Sequence, residues 1–493
     1  LLDIKNILTS ERLRGLIFST RRGWGGITVE RSGFRLRYNK RLLEYLDGKQ
    51  EEIISALCEF VKIESISDNP EKVGEALDFI LNYARGLGFD AESCLDGQVG
   101  VIEVGEGEEV LGILAHVDVV GPGDLEKWDT EPFDPVIRDG RIYGRGTLDD
   151  KGAIIACLYA MKAVCELGRP LRKKVRLILG TQEETEWTDM RAYTAAYPLP
   201  DYGFTPDGEF PLCNIEKGCL DITLSFPLDE PEAGADGGKA GKYLTRIEAG
   251  STPNIVPGLC TAEITECADG NPETRSIRFQ GKAVHSCQPE KGENAIFKAA
   301  EQLNAMGLEN NRLLALLNLI CEKLGDVYGG NLGLYSETEY YRGEFVHRNV
   351  FSPTILKVEN GNVLLHVNVR FPYGEDENRI IGTFRRLAES NRGELIQVSS
   401  LPAVYVGKDR PFLKAFAEAY DEVSGRINEF TLAYGGSYAK AMPNIVSWGP
   451  VFPDEEDTCH EENEYIRIKS LMDNAKIFAS AISKIVLDNK SYK

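Results

Sequence analysis

The run VLGILAHVDVV (110–120) constrains the fold more than any other stretch of the chain. Its first half is almost continuously apolar, which suits a strand covered on both faces in a parallel sheet. It then turns polar, at His116 and Asp118. A parallel neighbour cannot be reached through a hairpin and needs a crossover of about a dozen residues or more. The sequence supplies one. Residues 151–167 place Ala153, Ile154, Cys157, Leu158 and Met161 at helical spacing, and KVRLILGT (174–181) reads as the next strand. Helices are expected upstream over 42–61, where Leu46, Ile53, Ile54, Leu57 and Phe60 form an apolar stripe, and over 73–87. This βα rhythm indicates an α/β domain with crossover connections.

The pattern changes after Asp207. EPEAGADGGKAGK (230–242) reads as an exposed hairpin or loop, and strand-like alternation recurs in RSIRFQGKAVH (275–285) and NVLLHVNVRFP (362–372). Helices over 295–306 and 313–324 lie between them, the signature of an α+β unit. From about Val404 the α/β style returns, with helices over 411–423 and 466–486. At 493 residues the chain exceeds what one ordinary core serves. The reading is therefore α/β: a discontinuous catalytic domain, with a mixed, largely parallel sheet and flanking helices, interrupted by an inserted α+β domain. The expected segments are an extension over 1–41 with no assigned role, catalytic parts over 42–215 and 404–493, and an insert over 216–403.

Composition removes some classes of function. The formal charge is −21, from 56 basic and 77 acidic residues, whereas a nucleic-acid binder needs a basic surface to displace counterions from phosphate. Eleven cysteines without a C-x-x-C pair fit a reducing, cytoplasmic setting. There is no apolar run of about 18 residues, so no membrane span is expected.

Five polar motifs punctuate the α/β parts. His116-Val-Asp118 ends the first buried strand, beyond which ligands of open α/β sheets bind. Residues i and i+2 of an extended chain point the same way, so Asp118 is placed to orient the His116 ring. GRGTLDDKG (144–152) sets Asp149 and Asp150 at the start of a helix, where capping is the competing explanation. Glu183 and Glu184 follow the second strand as adjacent carboxylates, which repel unless a cation or a proton intervenes. FTPDGEFP contributes Asp207, and CHEENE contributes His460; Glu461, Glu462 and Glu464 of that run fit a charged surface. His116, Asp149, Glu184, Asp207 and His460 form a mixed nitrogen and oxygen set suited to borderline divalent metals. If one carboxylate bridges, five side chains give each of two metals three ligands.

The motifs HVDVVGPGDLEKW, YGRGTLDDKG, TQEET, FTPDGEFP and HEENE, in this order, resemble those of the co-catalytic zinc metallopeptidase family. That family includes aminoacylases, glutamate-releasing carboxypeptidases and succinyl-diaminopimelate desuccinylase, and the likeness is to its bacterial, carnosinase-like dipeptidase branch. The resemblance runs from about Leu42 to the C-terminus. It implies two divalent ions per chain, with Zn2+ favoured and Mn2+ or Co2+ also suited. Asp149 would bridge them, His116 and Asp207 would complete one site, and Glu184 and His460 the other. Glu183 would be the general base toward a water bridging the metals, Asp118 would polarise His116, and the Asp149–Asp150 peptide would be cis. The insert becomes a lid, from which His285 would stabilise the oxyanion, Arg370 would clamp the substrate carboxylate and Asn254 would help position it. By the same resemblance, Gly435, Gly436 and Lys440 would belong to a glycine-rich loop that closes on the substrate backbone. In related dipeptidases this loop commonly ends in Arg; Lys440 keeps the charge without the bidentate fork. The implied activity is hydrolysis of dipeptides with a free C-terminal carboxylate, by a monomer whose large lid supplies what a partner subunit gives in dimeric relatives. An N-acyl-amino-acid deacylase or carboxypeptidase of the same family is the alternative. His366 reads as structural and His347 has no assigned role.

Overall fold

A computed structural model describes residues 40–228, 240–268 and 271–493. The expected extension over 1–41 lies almost wholly outside the described residues, as does most of the polar stretch 230–242. Two large sheets divide most of the rest, with three small sheets of two or three strands beside them.

The first sheet has nine strands. Its ordered path runs Asp90–Cys94, Val99–Val104, Lys174–Gly180, Val110–His116, Tyr202–Thr205, Ile445–Ser447, Cys213–Glu216 and Val404–Tyr405, and Thr431–Ala433 pairs beside Cys213–Glu216. The centre is parallel: Val110–His116 pairs in parallel with both neighbours, and Ile445–Ser447 with Tyr202–Thr205. The outer pairs Asp90–Cys94/Val99–Val104 and Val404–Tyr405/Cys213–Glu216 are antiparallel. The helix Lys151–Cys165 is buried almost all round. It packs on the C-terminal helix Ile468–Val486 and on Gln50–Val61, which explains why its face carries alanines and a cysteine as well as larger residues. Beneath the far half of the sheet, Phe204, Phe210, Phe416, Trp448 and Phe478 form a ring-to-ring core. The stretch expected as one helix over 42–61 is broken at Gly48 and Lys49, and the helix resumes at Gln50.

The second sheet is antiparallel and seven-stranded: Asn271–Gln280, Leu259–Ala268, Gly241–Ala249, Val350–Glu359, Asn362–Phe371, Gly218–Pro227 and Glu394–Leu401. Helices Ala295–Ala305, Arg312–Leu324 and Glu377–Ser390 bury its apolar side in a core of its own. The chain passes from the first sheet to the second between Glu216 and Gly218 and is back by Val404. Lys217 is thus the whole of one crossing.

Candidate metal centre and substrate face

Because the central strands are parallel, their carboxyl ends open on one edge. His116 is the last residue of its strand and lies in register with Gly180, from which Glu183 and Glu184 follow directly. Asp207 follows the neighbouring parallel strand, Tyr202–Thr205. Asp149 arrives from the loop before helix Lys151–Cys165 and is joined to Asp150 by a cis peptide bond. His460 arrives from the loop after Ile445–Ser447, with its backbone in the left-handed region.

These residues converge. Asp149 Oδ1 lies 2.9 Å from His116 Nε2, and its Oδ2 lies 3.0 Å from His460 Nε2. His460 Nε2 is also 2.9 Å from Glu184 Oε1. Ligating atoms of His116, Asp149 and Glu184 fall within 4.8 Å of one another, as do those of His116, Glu183 and Asp207. All five proposed ligands and Glu183 therefore occupy one cluster.

The electrostatics state what the cluster lacks. Burial, then the neighbouring Asp207, pushes Glu183 well above the usual carboxyl range. Burial and then Asp149 raise Glu184, and the same causes lift Asp207 to about 8. Burial opposes charge on His460, yet Asp149 and Glu184 outweigh it and lift the ring to about 12. Four carboxyls thus face two imidazoles. His116 Nδ1 points at the Asp118 carbonyl at 2.9 Å, which assigns a hydrogen to Nδ1. Burial opposes charge on the ring, yet Asp118 and Asp149 outweigh it and raise it well above the ordinary imidazole range. Nε2 therefore faces the Asp149 carboxylate either with an extra proton or with a lone pair that needs a cation between them. His460 Nε2 faces two carboxylate oxygens with at most one hydrogen to give. Either extra protons or cations must lie between such groups, and the donor set suits divalent ions.

Around the cluster, loops are fixed by Asp118, which the sequence places beside His116, and by Asp189 and Glu464, which its local patterns do not mark. Asp118 accepts from Ser67 Oγ at 2.8 Å and from the backbone N–H groups of Glu183 and Glu184 at 3.2 and 3.3 Å, besides lying 3.4 Å from His116 Nδ1. Asp189 accepts from the N–H groups of Thr181 and Gln182 and from the Tyr438 hydroxyl. Gly180 makes room for this clasp: a Cβ there would lie 2.2 Å from the Tyr438 oxygen. Glu464 is wholly buried, not part of a charged surface, and accepts from Arg145 and from the N–H groups of Gly146, Leu148 and Asp149.

On the second sheet, Arg370 stands in register between Cys219 and Val350. It is 7% exposed, and its Nε donates to Asn368 Oδ1. His285 pairs in register with Ile255, and Asn254 accepts from the Ser286 N–H. Burial, then Arg370 and His460, pull His285 down to about 4, so its ring is neutral and lies in electrostatic reach of both the metal cluster and Arg370. Gly435 and Gly436 are exposed at the loop tip. Lys440 departs from the expected substrate role: its ammonium is buried, paired with Glu216 at 3.2 Å and donating to the carbonyls of Lys217 and Pro402. Those commitments make it a tie across the crossing between sheets.

The model for the peptidase family M20/M25/M40 matches residues 112–484, which span both sheets and every cluster residue. The chain belongs to this family. It is a peptidase. A Bacillus subtilis (strain 168) protein described as "Putative dipeptidase YtjP" is 32% identical over 89% of this chain and 98% of its own length. Human carnosine dipeptidase 1 shares the fold, with a TM-score of 0.58 at 16% identity, over 91% of this chain and 99% of that one. So does the Bacillus subtilis YXEP protein, described as a dinuclear metal-binding M20 peptidase, at TM-score 0.53 and 11% identity, over 90% and 99%. Within the M20 frame, Asp189, Tyr438 and Glu464 are the functional supports that sequence reasoning missed. The available signal for Glu464 was its place in the His460 run, which was assigned to charge on the surface.

Proposed function

We propose that this M20 peptidase is a dipeptidase that uses two divalent metal ions and recognises a free C-terminal carboxylate. The observation that carries the reading is Asp149, whose two carboxylate oxygens separately face His116 and His460 at 2.9 and 3.0 Å. A carboxylate addressed from both sides suits a bridge. His116 and Asp207 would hold one ion and Glu184 and His460 the other, with zinc the best match to these donors and manganese or cobalt also acceptable. When bound, the ions supply Lewis acidity toward the scissile carbonyl and lower the pKa of water.

The remaining chemistry belongs to the chain. Glu183 is half-buried beside the cluster, and its raised pKa fits a group that takes a proton from the attacking water and returns it to the leaving amine. Asp118 keeps the His116 tautomer and holds the backbone of Glu183 and Glu184. Neutral His285 is suited to donate a hydrogen bond to the developing oxyanion. Arg370 offers a planar fork to the carboxylate at the substrate's far end.

The test is a panel of dipeptides, dipeptide amides, tripeptides and N-acyl amino acids, assayed with metal-depleted enzyme reloaded with one metal at a time. Turnover concentrated in unblocked dipeptides, with two ions bound per chain, supports the reading. Faster turnover of N-acyl amino acids would replace it with deacylase activity.

A further inference from the structure

Arg370 comes from the second sheet and His285 from a small two-stranded sheet of the same insert, whereas the metal cluster comes from the first sheet, so something must fix the insert against that sheet. The hairpin Tyr340–Tyr341/Glu344–Phe345 is placed to do this. Its sequence YYRGEF puts Arg342 and Gly343 at the turn, both with positive φ, the two-residue geometry that matches strand twist. Glu344 belongs to the insert, yet all three of its partners come from the first sheet's side. Its carboxylate accepts from Asn214 Nδ2 at 3.0 Å, from the Tyr405 hydroxyl at 2.9 Å and from Lys408 Nζ at 3.1 Å. Asn214 lies on the strand leaving the first sheet and Tyr405 on the strand returning to it. Beside this contact, the Tyr341 ring lies 5.0 Å from Tyr373 and 5.0 Å from Tyr405.

The chain beyond the hairpin connects this anchor to the substrate face. His347 meets Lys217, the residue of the first crossing, through Nδ1 at 3.2 Å, and lies 5.5 Å from the Tyr434 ring of the glycine-rich loop. Lys217 also donates to the Arg348 carbonyl at 2.8 Å. Two residues further on, Val350 is the register partner of Arg370. Ser352 then donates to the Ser286 carbonyl, next to His285. One strand, Val350–Glu359, therefore carries the positions of both Arg370 and His285, and the hairpin that leads into it is fastened to the first sheet by Glu344.

We infer that Glu344 is a positioning residue: it clamps the hairpin across both crossings and so sets the separation between the metal cluster and the Arg370–His285 face. The inference rests on the dipeptidase reading for its kinetic consequence but not for its structural one. A loosened clamp leaves each half of the site intact while blurring the distance between them, so it weakens substrates in proportion to their use of both ends. Glu344→Ala should raise KM for a dipeptide at least tenfold, change kcat/KM for the matching dipeptide amide less than twofold, and leave metal content unchanged. Glu344→Gln, which still offers one acceptor, should fall between. Small-angle scattering needs no substrate: Glu344→Ala should give a larger radius of gyration than the parent, and Glu344→Gln a smaller increase. Superimposable scattering curves, or equal losses on dipeptide and amide, would overturn the clamp. A parent enzyme that cleaves dipeptide and amide equally would instead overturn the carboxylate reading, and scattering would still decide the clamp.

Discussion

Glu464 and Glu462 sit two residues apart in one acidic run, and removing each should have very different consequences. Glu464 and its partner Arg145 are 0% and 1% exposed, joined at 2.6 Å. Breaking a buried ion pair from one side costs about 3–5 kcal/mol, because the other charge stays buried without compensation. Glu464→Ala also strips the acceptor from the N–H groups of Gly146, Leu148 and Asp149, each worth about 1–3 kcal/mol if left unpaired. Water entering the vacated volume recovers part of that, so about 4 kcal/mol is the net expectation. At about 2 °C per kcal/mol for a cooperative unit of roughly 250 residues, the melting temperature should fall by about 8 °C. Glu464→Gln should be nearly as damaging, since its amide nitrogen must face a donor on one side. Glu462→Ala removes longer contacts to the Asp124 N–H and Lys127, at 3.3 and 3.4 Å; it should cost less than about 1 kcal/mol. Calorimetry on metal-depleted protein separates the cases without interference from metal binding. Equal melting temperatures for Glu464→Ala and Glu462→Ala would refute the assignment of Glu464 as the anchor of the Asp149 loop.

Other outcomes follow from the site. Glu183→Gln should lower kcat by about 100- to 10,000-fold with both ions retained by elemental analysis, whereas Glu184→Gln should lose an ion; identical metal contents would contradict their separate roles. Arg370→Ala should lose about 2–5 kcal/mol of kcat/KM on a dipeptide and much less on its amide, which lacks the partner charge. Burial, and then Arg370, hold Lys217 at about 7 against an ordinary 10.5. Between those values the unfolded chain binds a proton that the fold has shed, so stability rises with pH across the window and the penalty is full below pH 7. Lys151 is held at about 7 by burial too, so Lys217→Met should roughly halve that rise in urea midpoints between pH 7 and 10 rather than abolish it.

How much of this was legible in the sequence depended on the range of the physics. Strands Val110–His116 and Lys174–Gly180 were readable because both faces are buried and every residue reports it. The residues that converge in the cluster were readable because each belongs to a local motif beside such a strand. The break at Gly48 was not, since the apolar stripe continues through it. Asp189 meets Tyr438 from 249 positions away and Glu464 reaches Leu148 across 316; no local pattern marks such pairs. The pairing of Lys440 was hidden for the same reason: its sequence context shows a cation at a loop end, while Glu216, its buried partner, lies on a strand far upstream.

The placement of acids resolves a difficulty in the centre itself. Four carboxyls packed against two histidines would drive their own loops apart unless something other than the metals held the backbone. Asp118, Asp189 and Glu464 do so from behind. Each is buried and accepts backbone N–H groups of a loop that carries a proposed ligand: Glu183 and Glu184 for Asp118, Thr181 and Gln182 for Asp189, and Asp149 with its predecessors for Glu464. Their negative charge is met by N–H dipoles, a guanidinium and hydroxyl groups, so it adds little to the repulsion within the cluster. Burial raises the inner carboxyls Glu183, Glu184 and Asp207, but it raises Asp189 and Glu464 too. Asp149, against its burial, is held low by His116 and His460. The two groups differ in their partners and not in the direction of titration. Hydrogen bonding thus sorts these acids into those that accept backbone N–H groups and those that turn their side chains toward the two histidines and one another. One carboxylate, Asp118, can therefore hold the backbone of both Glu183 and Glu184 without taking up either side chain.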